Sequence, residues 1–89
     1  MKIERISAVW CPSCLLMRSL WEKIEKDYPE FTFIDYDVDF DEEIVETRLI
    51  GKILPVCIFY KDGKEINRIV GEKKEKELRD LLEEYRRML

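Results

Sequence analysis

Alternating and helically spaced apolar positions predict the elements of the first half of the chain. Residues 2–9 predict a strand, in which Ile3, Ile6 and Val9 are apolar. Apolar residues at helical spacing then predict a helix that ends at Pro29. Its apolar face comprises Leu16, Met17, Leu20, Trp21, Ile24 and Tyr28. Residues 31–38 alternate again and predict a second strand.

The second half begins with a short helix and continues with a hairpin. The short helix is predicted to end at Leu49, with Asp39 or Asp41 as its N-cap and acidic residues in its first turn. Residues 55–60 are a short apolar run, typical of a strand buried on both faces. The Asp-Gly turn that follows, together with residues 65–70, predicts a hairpin.

A final amphipathic helix is predicted over residues 72–88, after Gly71 breaks the strand pattern. Its apolar stripe comprises Leu78, Leu81, Leu82, Tyr85 and Met88. Its outer surface has favourable i,i+4 pairs at Glu72–Lys76, Glu75–Arg79 and Glu83–Arg87.

The resulting order, β-α-β-α-β-β-α, predicts an α/β fold with a four-stranded mixed sheet and helices on both faces. Two crossovers through helices imply parallel pairing, and the hairpin adds an antiparallel strand. At 89 residues, with 46% hydrophobic and 40% charged residues, the chain is expected to be one folded domain over residues 1–89.

The net charge of −4 gives no basic patch for nucleic acid or an anionic membrane surface. The sequence contains no run of 18 apolar residues, so no membrane span is predicted. Its first residues are charged and are not followed by a long apolar run, so no signal peptide is predicted. We therefore expect a cytoplasmic protein, in a compartment where structural disulfides are rare. A monomer is the expected form.

Two cysteines three residues apart, Cys11 and Cys14, are the most informative feature of the sequence. Such a pair can form a small reactive disulfide or supply half of a zinc or iron–sulfur site. A disulfide closing so short a loop would stabilise the fold little, so reactivity is the better reason for it. A metal site would need further ligands, and Cys57 is the one remaining thiol, with no histidine in the chain.

The position of the pair before a predicted helix suggests how a thiolate would be stabilised. A free thiol is mostly protonated at neutral pH. Unpaired N–H groups and the helix dipole favour a negative sulfur at a helix N-terminus. Pro12 suits the first helical turn, and Ser13 is expected to donate its hydroxyl near the sulfur. The absence of histidine excludes Cys–His catalysis.

Two other residues and one acidic cluster are given their simplest interpretation. Cys57, inside the apolar run, is interpreted as a small buried residue, with a regulatory thiol as the alternative. Trp21 is assigned to the core. The acidic cluster of residues 35–43 is interpreted as solvated surface.

The chain resembles the thioredoxin family. The residues that carry the resemblance are WCPSC at 10–14 and ILPVCIFYKDGKEINRIVG at 53–71, at the family's separation. The resemblance spans nearly all of the chain and begins at the family's second strand. It therefore implies a minimal member that lacks the first strand and helix.

The resemblance implies a role for each matching residue. Cys11 matches the nucleophilic cysteine and Cys14 the resolving cysteine. Pro55 matches the proline that follows a cis bond beside the cysteines. The substrate-binding positions are matched by Trp10, Leu54, Pro55 and Gly71.

The chain also departs from the family pattern. Pro12 and Ser13 stand where thioredoxins have Gly-Pro, and a proline at the first position is closer to glutaredoxins. The usual basic residue after the second cysteine is replaced by Leu15 and Leu16, which suggests either an apolar docking patch or core packing.

The charged pair beneath the family's cysteines differs as well. The family's buried acid is replaced by Arg5, and its lysine aligns with Asp35. We expect Arg5 and Asp35 to form the pair with exchanged charges and to modulate Cys14.

The resemblance implies a dithiol–disulfide oxidoreductase that acts on protein disulfides, with no cofactor beyond a redox-active Cys11–Cys14 disulfide. A reductase or small thiol would recycle it, in electron transport and cell redox homeostasis. The alternatives are a glutathione-dependent, glutaredoxin-like enzyme and a metal-binding or adaptor module without enzymatic activity.

Overall fold

The computed structural model describes all residues of the chain, and its strands and helices follow the predicted order. The elements are β1 (Lys2–Ser7), α1 (Pro12–Ile24), a 3-10 turn (Glu25–Asp27), β2 (Thr32–Asp37), α2 (Glu42–Thr47), β3 (Val56–Lys61), β4 (Lys64–Val70) and α3 (Glu75–Arg86). No helix combines the length and the apolar character needed to cross a bilayer.

The four strands form one mixed sheet in the order β2-β1-β3-β4. Strand β1 pairs in parallel with β2, as the first crossover predicts, and β3 and β4 form the predicted antiparallel hairpin. The expectation of parallel pairing after the second crossover is wrong, because β3 runs antiparallel to β1. Helix α2 has only six residues, so the chain enters β3 at the end of the sheet where it left β2.

Helices cover both faces of the sheet, as predicted. On one face, α1 and α3 enclose the larger core, which includes Ile3, Trp21, Phe59, Leu78 and Leu82. On the other face, Val45 of α2 packs with Ile6, Val56 and Ile58. Strand β3 contributes to both cores, which confirms that it is buried on both sides.

Two residues predicted on apolar helix faces lie outside the core. Leu16 is 65% exposed and Met88 is 43% exposed. In α1 the buried stripe is formed by Cys14, Met17, Trp21 and Ile24, and Leu16 precedes Met17 on the solvent side. Met88 lies beyond the end of α3, so its helical phase no longer applies.

Helix α3 begins at Glu75, three residues later than predicted. Lys74 is its N-cap, and the Lys74 N–H donates to the Glu77 carboxylate at 3.4 Å. Glu72 therefore lies before the helix, and the predicted Glu72–Lys76 pair does not form.

Of the remaining outer pairs predicted for this helix, one is present. The Arg79–Glu75 pair forms at 2.9 Å. Glu83 pairs with Arg86 at 3.1 Å instead of with Arg87, because the shorter i,i+3 spacing also brings side chains together.

Asp41 is the N-cap residue of α2, one of the two predicted, but its side chain caps no helical N–H. Its carboxylate instead accepts from the Asp37 N–H at 2.8 Å. Asp37 in turn accepts from the Asp39 N–H at 2.8 Å. Part of the acidic cluster thus stabilises the turn between β2 and α2.

Glu4 of β1 is a fully buried carboxylate on the α2 face of the sheet. Arg48 donates to its two oxygens from Nε at 2.6 Å and from Nη2 at 2.9 Å. Tyr60 donates at 3.0 Å, and the Lys2 ammonium lies at 3.3 Å. Burial alone would raise the pKa of Glu4, but the hydrogen bonds from Arg48 and Tyr60 outweigh it and lower the pKa.

We predict that Glu4→Gln lowers the free energy of unfolding by about 3 kcal/mol at pH 7, because it leaves Arg48 without its counter-charge. The lowered pKa of Glu4 means that its contribution is complete above the unfolded value of about 4.3 and is lost as the pH falls through the folded value. Urea unfolding of the wild type and of Glu4→Gln from pH 7 to pH 3 tests this prediction. The difference between their free energies of unfolding should become smaller below about pH 4.3.

The matched control is Glu84→Gln, which removes an exposed carboxylate of α3. It should leave the free energy of unfolding within about 0.5 kcal/mol of the wild type. If the free energy of unfolding fell equally in both variants, Glu4 would contribute to stability only through the net charge of the protein.

Candidate active site

The Cys11–Cys14 pair lies where the chain leaves β1 and enters α1. Cys11 is the N-cap residue in an extended conformation, and Pro12 is the first residue of the helix. The Cys11 Sγ accepts a hydrogen bond from the Cys14 N–H at 3.3 Å. A sulfur thus occupies the place of the oxygen in an ordinary N-cap, where negative charge is stabilised by the helix terminus.

Both thiols are free and largely covered by neighbouring residues. Cys11 is 7% exposed and Cys14 is 5% exposed, and they pack with Ala8, Val38 and Leu54. Burial, followed by the contact with Cys11, raises the pKa of the Cys14 thiol to about 11. Cys14 is therefore protonated at neutral pH, and it must lose its proton before it can act as a nucleophile.

The segment that precedes β3 lies beside the cysteine pair. The Leu54–Pro55 peptide bond is cis, and Leu54 packs against the two cysteines. The Pro55 carbonyl accepts from the Gly71 N–H at 2.8 Å, which brings the end of β4 to the same place. Gly71 has a φ of +83°, a conformation that glycine adopts without steric penalty.

Trp10 is 63% exposed beside the cysteines. Its indole Nε1 donates to Asp39 Oδ2 at 2.8 Å. Sequence analysis assigned Asp39 to solvated surface or to a helix cap, because an acidic cluster gives no indication of which member contacts a distant tryptophan.

Ser13 does not donate to a cysteine sulfur, so that expectation is wrong. Its hydroxyl donates instead to Glu72 Oε1 at 2.6 Å. A carboxylate is a stronger acceptor than a thiol sulfur, so it accepts the one hydrogen bond that the hydroxyl can donate. Glu72 was assigned to a helix surface, and its place beside the motif depends on a contact between residues 59 positions apart.

A cavity of about 270 Å³ lies behind Cys14. Its wall includes Arg5, Cys14, Trp21, Asp35 and Pro55. The thiol of Cys14 therefore borders a space that also contains charged groups from β1 and β2.

Arg5 and Asp35 form the ion pair that their alignment suggests, since Arg5 donates to Asp35 through Nε at 2.7 Å and Nη2 at 2.9 Å. The third contact, from Nη1 to Glu25 at 2.6 Å, involves a residue that sequence analysis did not select. Burial would lower the pKa of Arg5, but its bonds to Asp35 and Glu25 outweigh burial and raise it. The Arg5 side chain is 15% exposed whereas that of Asp35 is 67% exposed, because β2 is an edge strand.

Cys57 lies in the larger core and is 2% exposed, which confirms its interpretation as a buried residue. Burial raises the pKa of its thiol to about 12. Trp21 lies in the same core at 4% exposure, as predicted. No group of three or more histidine, cysteine, aspartate or glutamate side chains has an arrangement suited to a metal ion.

Several apolar side chains near the motif are exposed. Leu15 is 50% exposed and Leu16 is 65% exposed. Ile53, beside Leu54, is 62% exposed. Of the two interpretations of Leu15 and Leu16, core packing is therefore excluded.

Comparison with known proteins gives matches over nearly the whole chain. The family model described as Thioredoxin matches residues 3–84. A thioredoxin of Ophiophagus hannah is 32% identical over 79 residues, which are 89% of this chain and 73% of that protein. Thioredoxin-2 of Saccharomyces cerevisiae is 34% identical over 64 residues, but this chain spans only 61% of its length.

Solved structures show the same relationship. The thioredoxin of Fasciola hepatica superposes with a TM-score of 0.84 at 31% identity, over 93% of this chain and 78% of that one. The thioredoxin of Plasmodium falciparum gives a TM-score of 0.83 at 30% identity, over 93% and 83% of the two chains. Sequence and fold agree, and the chain belongs to the thioredoxin family.

Proposed function

We propose that this protein reduces disulfide bonds in client proteins through Cys11 and Cys14. The observation that carries the proposal is the N-cap position of Cys11, whose sulfur accepts the Cys14 N–H. At this position the helix N-terminus favours negative charge on the Cys11 sulfur. The Cys14 thiol, one turn into the same helix, stays protonated until the second step.

The reaction proceeds in two exchange steps. The Cys11 thiolate attacks one sulfur of the client disulfide, forms a mixed disulfide, and releases the other client sulfur as a thiolate that takes up a proton. Cys14 then loses its proton and attacks the Cys11 sulfur, which releases the second client thiol. Two electrons and two protons pass from the dithiol to the client, and a Cys11–Cys14 disulfide remains.

The two thiols carry the electrons themselves, so the proposed reaction uses no further cofactor. An external reductase or small thiol restores the dithiol. We also propose a role in electron transport and redox homeostasis in the cytoplasm, a compartment that keeps thiols reduced.

The client is proposed to bind in an extended form against Trp10, Leu54, Pro55 and Gly71. No backbone hydrogen bond within the protein uses the N–H or C=O of Leu54. These groups are available to pair with a client strand, as at a sheet edge. The exposed side chains of Trp10, Leu15, Leu16 and Ile53 supply apolar contact area beside the cysteines.

The two cysteines are predicted to fail in different ways when substituted. Cys11→Ser should reduce insulin disulfide reduction to the uncatalysed rate, because no nucleophile remains. Cys14→Ser should retain the first step and accumulate a mixed disulfide on Cys11, because nothing resolves it. Incubation with the aromatic disulfide DTNB, followed by mass spectrometry, would detect the bound thionitrobenzoate.

Cys57→Ala is the matched control for these variants. It removes a thiol that burial keeps protonated, so turnover should remain within about twofold of the wild type. A Cys14→Ser protein that carries no mixed disulfide would contradict the proposed division of roles.

The Arg5–Asp35 pair is proposed to set the charge around Cys14. Arg5 places a cation on the wall of the cavity that Cys14 borders, and Asp35 and Glu25 neutralise it. Arg18 and Glu22 of α1 line the same cavity. A cation favours the Cys14 thiolate and a carboxylate disfavours it, so the two members of the pair act in opposite directions.

We predict that Arg5→Met raises the apparent pKa of Cys14 and that Asp35→Asn lowers it. Solvent screens the largely exposed Asp35, so the shift caused by Asp35→Asn should be the smaller of the two. The measurement is the pH dependence of the resolving step, from release of thionitrobenzoate from the Cys11 mixed disulfide. Arg87→Met, which removes an exposed charge after α3, is the control. Shifts in the same direction for both variants would argue against an electrostatic role.

A further inference from the structure

The hydrogen bond between Ser13 and Glu72 connects the redox motif to a distant part of the chain. Ser13 is the second residue of α1, and Glu72 lies in the segment between β4 and α3. The Ser13 Oγ donates to Glu72 Oε1 at 2.6 Å. A hydroxyl has one proton to donate, so this contact determines where that proton points.

Ser13 lies between the two cysteines, where a hydroxyl could otherwise donate to the Cys11 sulfur. The hydrogen bond that the structure gives to this sulfur comes from the Cys14 N–H. A thiolate with fewer donors is less stable. The Ser13–Glu72 contact thus withholds a donor from Cys11 in the reduced protein.

The Glu72 carboxylate also brings negative charge to the N-terminal turn of α1. A carboxylate is itself stabilised there and repels a second anion such as the Cys11 thiolate. The other charged groups near the motif are Asp39, bound to Trp10, and the charged residues of the cavity beside Cys14, which are Arg5, Arg18, Glu22, Glu25 and Asp35. The Ser13 hydroxyl is hydrogen-bonded to none of these and donates to Glu72.

We infer that Glu72 is a positioning residue that makes the Cys11–Cys14 dithiol a stronger reductant, by holding the Ser13 hydroxyl away from Cys11 and adding negative charge at the start of α1. The disulfide form has no thiolate to destabilise. An interaction that disfavours the thiolate therefore disfavours the reduced form alone and promotes transfer of its two electrons to a client. The inference rests on the proposed function, because it concerns the same two thiols.

The test is a double-mutant cycle of Ser13→Ala, Glu72→Ala and the combined variant. The measured quantity is the equilibrium constant of the Cys11–Cys14 couple with dithiothreitol at pH 7, obtained by thiol trapping. Glu72→Ala should shift this constant about fivefold towards reduced protein, because the freed Ser13 hydroxyl can donate to the thiolate. A fivefold shift corresponds to about 20 mV for a two-electron couple.

In the Ser13→Ala background, Glu72→Ala should change the constant by less than about twofold, because the carboxylate is no longer held and solvent screens it. The rate at which iodoacetamide alkylates Cys11 at pH 7 gives an independent measurement. This reagent is neutral, so its rate reports the thiolate and not attraction to the surface. The rate should rise with Glu72→Ala only when Ser13 is present.

Glu84→Gln is the control, since it removes an exposed carboxylate far from the motif and should change neither quantity. Equal constants for the wild type and Glu72→Ala would overturn the inference. So would an equal shift with and without Ser13, which would leave Glu72 no positioning role. A wild-type protein with no reversible couple would overturn the proposed function as well, whereas a normal couple insensitive to Glu72 would overturn this inference alone.

Discussion

A buried carboxylate and a largely covered guanidinium on adjacent residues of β1 constrain the whole structure. Glu4 points to one face of the sheet, where Arg48 neutralises it, and Arg5 points to the other, where Asp35 and Glu25 do. A charge removed from water must be paired, or the fold loses several kcal/mol. Because β1 lies between β2 and β3, these two pairings attach the segments that surround it on both faces.

The pairings determine what reaches the end of β1. On one face, Arg5 joins the end of α1 to β2 beneath the cysteines. On the other face, Arg48 holds the segment that leads from α2 towards Pro55. The Gly71–Pro55 hydrogen bond adds the end of β4. The redox motif is therefore supported by segments that are far apart in sequence and joined by polar contacts. Burial makes the contact at Glu4 costly to break.

The local patterns of the sequence predict most elements because each depends on nearby residues. The Asp-Gly turn defines the hairpin, and Pro12 after Cys11 marks the start of α1. Predictions fail where the outcome depends on distant partners. The direction of β3 depends on how far the six-residue helix α2 can carry the chain across the sheet. The hydrogen-bond partner of the Ser13 hydroxyl is a glutamate 59 residues away. Leu16 was predicted on the apolar face of α1, but it is exposed because its position on the helix faces solvent.

The sequence by itself determined the order of the elements, the placement of two thiols at a helix N-terminus, and the family to which such a pair belongs. These follow from short-range spacing, turn chemistry and capping, which are encoded within a few residues. Only the tertiary structure decided that Glu25 joins the Arg5–Asp35 pair, that Asp39 binds Trp10, and that Glu72 accepts the hydrogen bond from the Ser13 hydroxyl. Many exposed carboxylates in the sequence are equivalent candidates for such contacts, and the packing of strands and loops selects among them.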